Sequence, residues 1–231
     1  MMTQTMPALA KILIVDDHPM VREGLSIHIA TQGGMEVCGE AEDPQGAMSK
    51  IQATNPDLVI VDISLKRGNG IDLIHRIRDK YEDMPILVWS MYPENLYAER
   101  ALRAGANGYL NKARATREVL EAIRSVLAGK VYVSGDFTDS MLKQVVAGRG
   151  RHSTVENLSE RELEAFEMMG HGMTTDAIAA KMNVSSKTVE TYRARIKQKL
   201  GLRNATELVQ RAAQWVLEMH SGGSSVASNK R

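Results

Sequence analysis

Five short apolar runs punctuate the first half of the chain: KILIV (11–15), MEVCGE (35–40), DLVIV (57–61), PILVW (85–89) and GYL (108–110). They recur roughly every 25 residues. Between them apolar positions fall at helical spacing, as in Val21, Leu25 and Ile29 and again in Val119, Ile123 and Val126. The runs are nearly continuously apolar rather than alternating, as expected of strands covered by helices on both faces. Five strand–helix units predict an α/β fold: a doubly wound, five-stranded parallel sheet. Any site should lie at the carboxyl ends of its strands.

After residue 129 the pattern breaks. The stretch 130–155 has one short helical candidate near 137–147, then Gly, Arg and Ser, and reads as a linker. A helical region follows over 156–220. Ser159 and Glu162 form a capping box, with Leu158 and Leu163 placed to form a hydrophobic staple. A short helix over 175–182, the turn NVS, and a helix over 185–200 predict an all-α helix-turn-helix unit. Asn204 and Glu207 repeat the capping pattern for a last helix over 205–218, and the tail 221–231 is expected to be disordered.

Charge changes this picture in one place. Residues 1–129 hold 14 Lys and Arg against 17 Asp and Glu, and residues 153–184 hold 2 against 6. Residues 185–203 hold 6 against 1. A short basic segment in an otherwise acidic chain is an electrostatic footprint for nucleic acid, with a solvated helix face as the plainer alternative. No apolar run reaches the ~18 residues of a membrane span. The N-terminus lacks signal-peptide features, and the one cysteine, Cys38, fits a reducing compartment. A cytoplasmic protein without membrane contact is expected. The six histidines form no close cluster, so no zinc site is expected.

Candidate chemistry gathers at one edge of the predicted sheet. Asp16 and Asp17 follow the first strand and Asp62 the third; Ser90 ends the fourth strand and Lys112 follows the fifth. Clustered carboxylates repel one another unless a hard cation neutralises them, and Mg2+ suits an oxygen donor set that leaves room for a phosphoryl oxygen. Asp62 could then attack a phosphoryl group, with Lys112 and Ser90 holding its other oxygens. Taken singly, each residue has a plainer role: a helix cap for Asp17 or His18 before Pro19, a turn for Ser90, a surface charge for Lys112.

The segments ILIVDDHPMVREGL, VIVDISL followed by GNG, LVWS and GANGYLNK resemble the receiver domain of bacterial two-component response regulators over residues 11–128. The resemblance implies a receiver domain at 9–129 with Asp62 as phosphoacceptor. Asp16, Asp17, Asp62 and the Ser64 backbone carbonyl would hold Mg2+. Ser90 would be the switch hydroxyl, Tyr109 the aromatic that follows it, and Lys112 the phosphoryl partner. Two positions depart from the pattern: Lys66 and Ala113 stand where many receivers have proline.

Residues 156–218 resemble the LuxR-type helix-turn-helix that ends NarL/FixJ-type regulators. The resemblance makes 185–200 the recognition helix for the major groove of double-stranded DNA. Val189, Tyr192, Ile196 and Leu200 form one inward stripe, which favours Tyr192 as a core residue over a base-stacking one. Lys187, Glu190, Thr191, Ala194 and Lys197 then point outward. Lys187, Arg193, Arg195, Lys197 and Lys199 are placed to neutralise phosphates, and Thr188 to cap the helix or bond a phosphate. Glu190 either accepts a hydrogen bond from a cytosine amino group or pairs with Lys187 or Arg193. In such regulators the last helix pairs two DNA-binding domains. That leaves Trp215 and Met219 as dimer-helix candidates, with Leu208 and Ala212 assigned to packing.

The leading expectation is a phosphorylation-dependent, DNA-binding transcription regulator, not a dedicated enzyme. A sensor histidine kinase would load it and homodimerisation would follow. Two alternatives stand beside it. An aspartate-nucleophile phosphatase would carry Asp-x-Asp on its first strand, whereas this chain has adjacent Asp16 and Asp17. A regulator working without phosphorylation would not need the five-residue set.

Overall fold

The computed structural model describes residues 9–65, 67–146 and 154–221, with the backbone alone at 116, 144–146, 154, 156 and 218–221. The chain folds as two compact units, Met1–Gly148 and Arg149–Arg231.

In the first unit the apolar runs become β1 (Ala10–Val15), β2 (Met35–Ala41), β3 (Leu58–Val61), β6 (Ile86–Ser90) and β7 (Gly108–Asn111). A short hairpin, β4 (Ser64–Leu65) and β5 (Gly68–Asn69), is inserted after β3. The helices are α1 (Pro19–Ala30), α2 (Pro44–Thr54), α3 (Gly70–Lys80), α4 (Glu94–Ala104), α5 (Thr116–Leu127) and α6 (Gly135–Val146). The five-stranded sheet is parallel throughout, in the order β2-β1-β3-β6-β7. Ile12, Ile14, Leu58, Ile60 and Leu87 pack with Leu25 and Ile29 of α1 and Val119 and Ile123 of α5. The alternating residues Leu13, Val15, Val59, Val61 and Val88 are equally inaccessible, so both faces are covered. That double burial is why the strands read as unbroken apolar runs.

The strand order places a topological switch between the adjacent strands β1 and β3, where open α/β sheets form a crevice at the carboxyl edge. In-register pairing of Val15 with Val61, and of Ser90 with Asn111, brings the residues that end or follow these strands to that edge. The hairpin returns the chain to α3, whose N-cap Asn69 accepts from Ile71 N–H at 2.8 Å. Gly70 opens the helix because a Cβ there would collide with the carbonyl oxygen of Asp62. After α5 the chain comes back to the outer edge of β7. Tyr132 donates to Asn107 carbonyl at 3.0 Å and accepts from Tyr109 N–H at 2.8 Å. Glu94 of α4 accepts from Ser134 N–H at 2.7 Å, just before α6. The stretch expected as a linker therefore begins with ordered structure; residues 147–153 lie outside the described residues.

The second unit comprises a 3-10 turn (Thr154–Asn157), α7 (Glu160–Gly170), α8 (Thr175–Met182), α9 (Ser186–Leu200) and α10 (Ala205–Ser221). Ser159 and Glu162 form the reciprocal capping box of α7. Asn183, in the left-handed region at φ 53°, ends α8, and Ser185 caps α9 by accepting from Thr188 N–H at 3.1 Å. Three residues thus suffice to turn one helix into the next. Leu163, Phe166, Ile178, Val189, Ile196 and Leu208 are buried together in this small unit.

The last helix requires a correction. Trp215 is only 6% exposed and its ring lies 5.6 Å from that of Phe166. Leu208, Ala212, Trp215 and Val216 form the stripe that α10 buries, and α10 packs chiefly on α7. Gly170 permits the close approach, since a Cβ there would lie 2.5 Å from the Ala212 carbonyl. The apolar stripe is consumed inside the unit, so Trp215 is not available as a dimer-face residue. The Met219 side chain lies outside the described residues, as does the tail 222–231. Val209 and Leu217 are the large apolar residues that α10 exposes among those described.

Candidate functional site

The carboxyl edge of the sheet holds a buried ionic cluster. Asp16, Asp62 and Ser90 are each no more than 3% exposed. Lys112 Nζ donates to Asp16 Oδ2 at 2.5 Å and to Asp62 Oδ2 at 2.6 Å. The Ser90 hydroxyl donates to the other Asp62 oxygen at 2.6 Å, and Ser64 N–H approaches that same oxygen at 3.3 Å. Four of the five residues expected to act together are thus joined in one hydrogen-bonded network. Burial pushes the Asp62 carboxyl above its ordinary value, while the Lys112 ammonium and the Ser90 hydroxyl pull it back.

Asp17, the fifth residue, stands at the same edge and meets the network through His18. The His18 imidazole lies 2.7 Å from Asp17 Oδ1 and 3.2 Å from Asp16 Oδ1, and its backbone N–H donates to Asp16 Oδ1 at 2.8 Å. His18 occupies the N-cap position of α1 without capping it through its side chain. Donor atoms of Asp16, Asp17, His18 and Asp62 all lie within 4.8 Å of one another, close enough for one cation to reach several of them. Histidine spacing carries no signal for His18, because its partners here are its acidic neighbours in sequence.

Behind the cluster, Tyr109 is fully buried and its hydroxyl donates to the Tyr92 carbonyl at 2.8 Å. Asn111 donates to the same carbonyl at 2.8 Å. Two residues of β7 therefore hold the segment that follows Ser90. Asn111 carries a weak sequence signal, a polar residue ending the last strand, in register with Ser90. The described residues contain no cis peptide bond, Lys112–Ala113 included, and Lys66 lies outside them.

In the second unit, Lys187, Glu190, Thr191 and Ala194 are exposed at spacings of 3, 1 and 3, one outward face of α9. Val189 and Ile196 are buried and Tyr192 half-buried, so Tyr192 belongs to the flank of the inward stripe. Thr188 is half-buried, its hydroxyl 2.8 Å from that of Ser185. Arg195 is exposed, whereas Arg193 and Lys197 are half-buried.

Glu190 does not stand alone. Its carboxylate accepts from the Thr175 hydroxyl at 3.0 Å and lies 3.6 Å from Arg193 Nε. The neighbouring Ser186 hydroxyl donates to Asp176 at 2.6 Å, a second tie between α8 and α9. Lys199, grouped with the phosphate-neutralising cations, is instead committed to Glu162 at 2.6 Å and to the Asn157 carbonyl. Burial alone would raise the Glu162 carboxyl; hydrogen bonds from Lys199 and Ser159 overcome that and hold it below the ordinary value.

Comparison with known proteins agrees with this two-part construction. The family model described as the response regulator receiver domain matches residues 12–124, and that of the bacterial regulatory proteins of the luxR family matches residues 156–212. The oxygen regulatory protein NreC of Staphylococcus carnosus is 36% identical over 208 residues, covering 87% of this chain and 96% of the relative. Its Staphylococcus aureus counterpart is 35% identical with the same coverage. A crystal structure of a LuxR-family two-component response regulator from Aurantimonas superposes with a TM-score of 0.57 at 34% identity. It covers 60% of this chain and 99% of that one. RcsB of Salmonella enterica serovar Typhimurium, solved on a promoter with a phosphomimetic, shares the fold at 24% identity and a TM-score of 0.60, covering 89% and 99%. With a receiver unit built around a buried aspartate–lysine cluster, followed in sequence by a luxR-family helical unit, the chain belongs to the response regulators that carry a LuxR-type DNA-binding domain.

Proposed function

We propose that the protein is a phosphorylation-controlled transcription regulator in which Asp62 is the phosphoacceptor. The observation that carries this reading is the shared grip on Asp62: Lys112 on one carboxylate oxygen and Ser90 on the other. An Asp62 oxygen attacks the phosphorus of a phosphohistidine on a sensor kinase, or of a small phosphodonor. The P–N or P–O bond to the donor breaks as the acyl phosphate forms. Lys112 and the Ser90 hydroxyl then move to phosphoryl oxygens, and Tyr109 follows because its hydroxyl is tied to the segment after Ser90. The same pocket would return the phosphoryl group to water, so the protein would dephosphorylate itself without being a dedicated enzyme. The phosphatase alternative does not fit: the gripped carboxylate follows the third strand of the large sheet rather than the first, and the relatives are regulators.

The donor set fits a divalent cation. Asp16, Asp17 and Asp62 put three carboxylates against one ammonium, an excess of negative charge with oxygen donors of the kind Mg2+ prefers. These three residues, with the Ser64 carbonyl, would hold Mg2+. Bound there, it would neutralise carboxylate repulsion and the charge of an incoming phosphoryl group. The receiver domain is taken as 9–129, the DNA-binding domain as 156–220, and the cell compartment as the cytoplasm. No helix among the described residues is long and apolar enough to cross a membrane.

On DNA, α9 lies in the major groove. Lys187 and Arg195 meet phosphates with support from Thr188, Arg193 and Lys197, and the short side chains of Thr191 and Ala194 face base edges. Phosphorylation favours a homodimer through a differential stability of a few kcal/mol between two receiver states. Beryllofluoride with Mg2+ is expected to increase both dimerisation, measured by light scattering, and specific DNA binding. No change in either for the wild type would sink the switch. Glu190→Gln is expected to shift the preferred base at one operator position in a DNA-selection experiment. A uniform rise in affinity would reduce Glu190 to a partner of Thr175 and Arg193.

A further inference from the structure

Lys112 has a third neighbour that its two carboxylates do not explain. The ammonium lies 5.5 Å from the centre of the Trp89 ring, within the range where an indole face attracts a cation. Trp89 and Ser90 are consecutive in β6 and therefore project to opposite faces of the sheet. Ser90 reaches Asp62, whereas Trp89 is half-buried and packs with the cluster that joins Leu87 to α1 and α5. Lys112 therefore has two kinds of neighbour: the carboxylates of Asp16 and Asp62, and the indole of Trp89. Its side chain is 6% exposed, so little water shares the ammonium.

We propose that Trp89 is a positioning residue for phosphoryl capture, acting through Lys112. The inference rests on Asp62 being the phosphoacceptor. During capture the ammonium must transfer one N–H from Asp62 Oδ2 to a phosphoryl oxygen while it keeps Asp16. A hydrogen-bond acceptor under the ammonium would have to be broken or stretched by that movement. An aromatic face attracts the charge with little dependence on which N–H points at it, so Lys112 pivots without losing its third contact. An aliphatic residue of similar bulk would fill the space and supply no attraction.

The test compares ring-retaining variants, Trp89→Phe and Trp89→Tyr, with ring-deleting ones, Trp89→Leu and Trp89→Met. Beryllofluoride affinity is measured in the full chain by titration calorimetry at saturating Mg2+. Both ring-deleting variants are expected to bind about 10- to 30-fold more weakly, the range for one largely desolvated cation–aromatic contact. The ring-retaining variants should stay within about threefold of wild type, because phenyl and phenol faces attract less strongly than indole. Equal losses in all four would mark Trp89 as packing alone, and unchanged affinity in all four would show that Lys112 does not use it; either overturns the proposal. Failure of the wild type itself to bind beryllofluoride would instead remove the phosphoacceptor reading on which it stands.

Discussion

Asp62→Asn is expected to lower phosphoryl incorporation from a small phosphodonor by at least about two orders of magnitude, because the attacking carboxylate is gone. Asparagine keeps the shape and one oxygen, which can still accept from Ser90, but its amide would face the Lys112 ammonium donor to donor. The same substitution should leave the melting temperature equal or higher. Burial raises the Asp62 pKa, so in the folded state its carboxylate carries a penalty. That penalty sets in as pH rises past the ordinary carboxylate range and is complete above the raised value. An amide that carries no charge escapes it. Phosphate-affinity electrophoresis together with thermal unfolding at neutral pH checks both halves. Retained labelling would move the acceptor elsewhere, and a large drop in melting temperature would mean that Lys112 depends on Asp62 more than on Asp16.

Trp215→Ala should destabilise the second unit by about 3–5 kcal/mol, the cost of deleting a buried aromatic whose cavity cannot fully collapse. Trp215 is 6% exposed and stacked at a tilt on Phe166, in a unit with few other large side chains to compensate. Leu217→Ala, two positions along α10 but 67% exposed, should cost no more than about 0.5 kcal/mol. Urea unfolding followed by circular dichroism separates the two. If Trp215→Ala unfolds like the wild type, the aromatic is not core, and its candidacy as a helix-pairing residue returns.

Much of the first unit could be read directly. Unbroken apolar runs such as LVIV at Leu58–Val61 mean strands buried on both faces, and both faces are in fact covered. The carboxylate, hydroxyl and lysine at the strand ends follow from parallel register, because residues after paired strand ends must be neighbours. The hairpin Ser64–Leu65 with Gly68–Asn69 was not legible: two-residue strands carry no periodicity, and their role is to aim Asn69 and Gly70 at the start of α3.

For the second unit, local signals were equally dependable where the chemistry is local. The Ser159–Glu162 capping box and the three-residue turn at Asn183–Ser185 involve near neighbours in sequence. Side-chain allegiance was different. Lys199 looked like one more cation of a basic stripe, yet it bonds Glu162, 37 positions away. Trp215 looked like an apolar residue free for a partner, yet Gly170 brings α7 close enough to bury it.

The basic helix 185–200 shows where the boundary falls. Periodicity alone determined which face of it turns inward, since an α-helix repeats every 3.6 residues whatever it packs against. Likewise, the strand pattern and residue types alone determined that Asp16, Asp17, Asp62, Ser90 and Lys112 share one sheet edge. Only the tertiary structure decided which side chains meet across elements: Glu190 with Thr175, Lys112 between two aspartates and an indole. Periodicity and propensity are local and repeat along the chain. A particular ion pair depends on the distance between two elements, and packing, not sequence spacing, sets that distance.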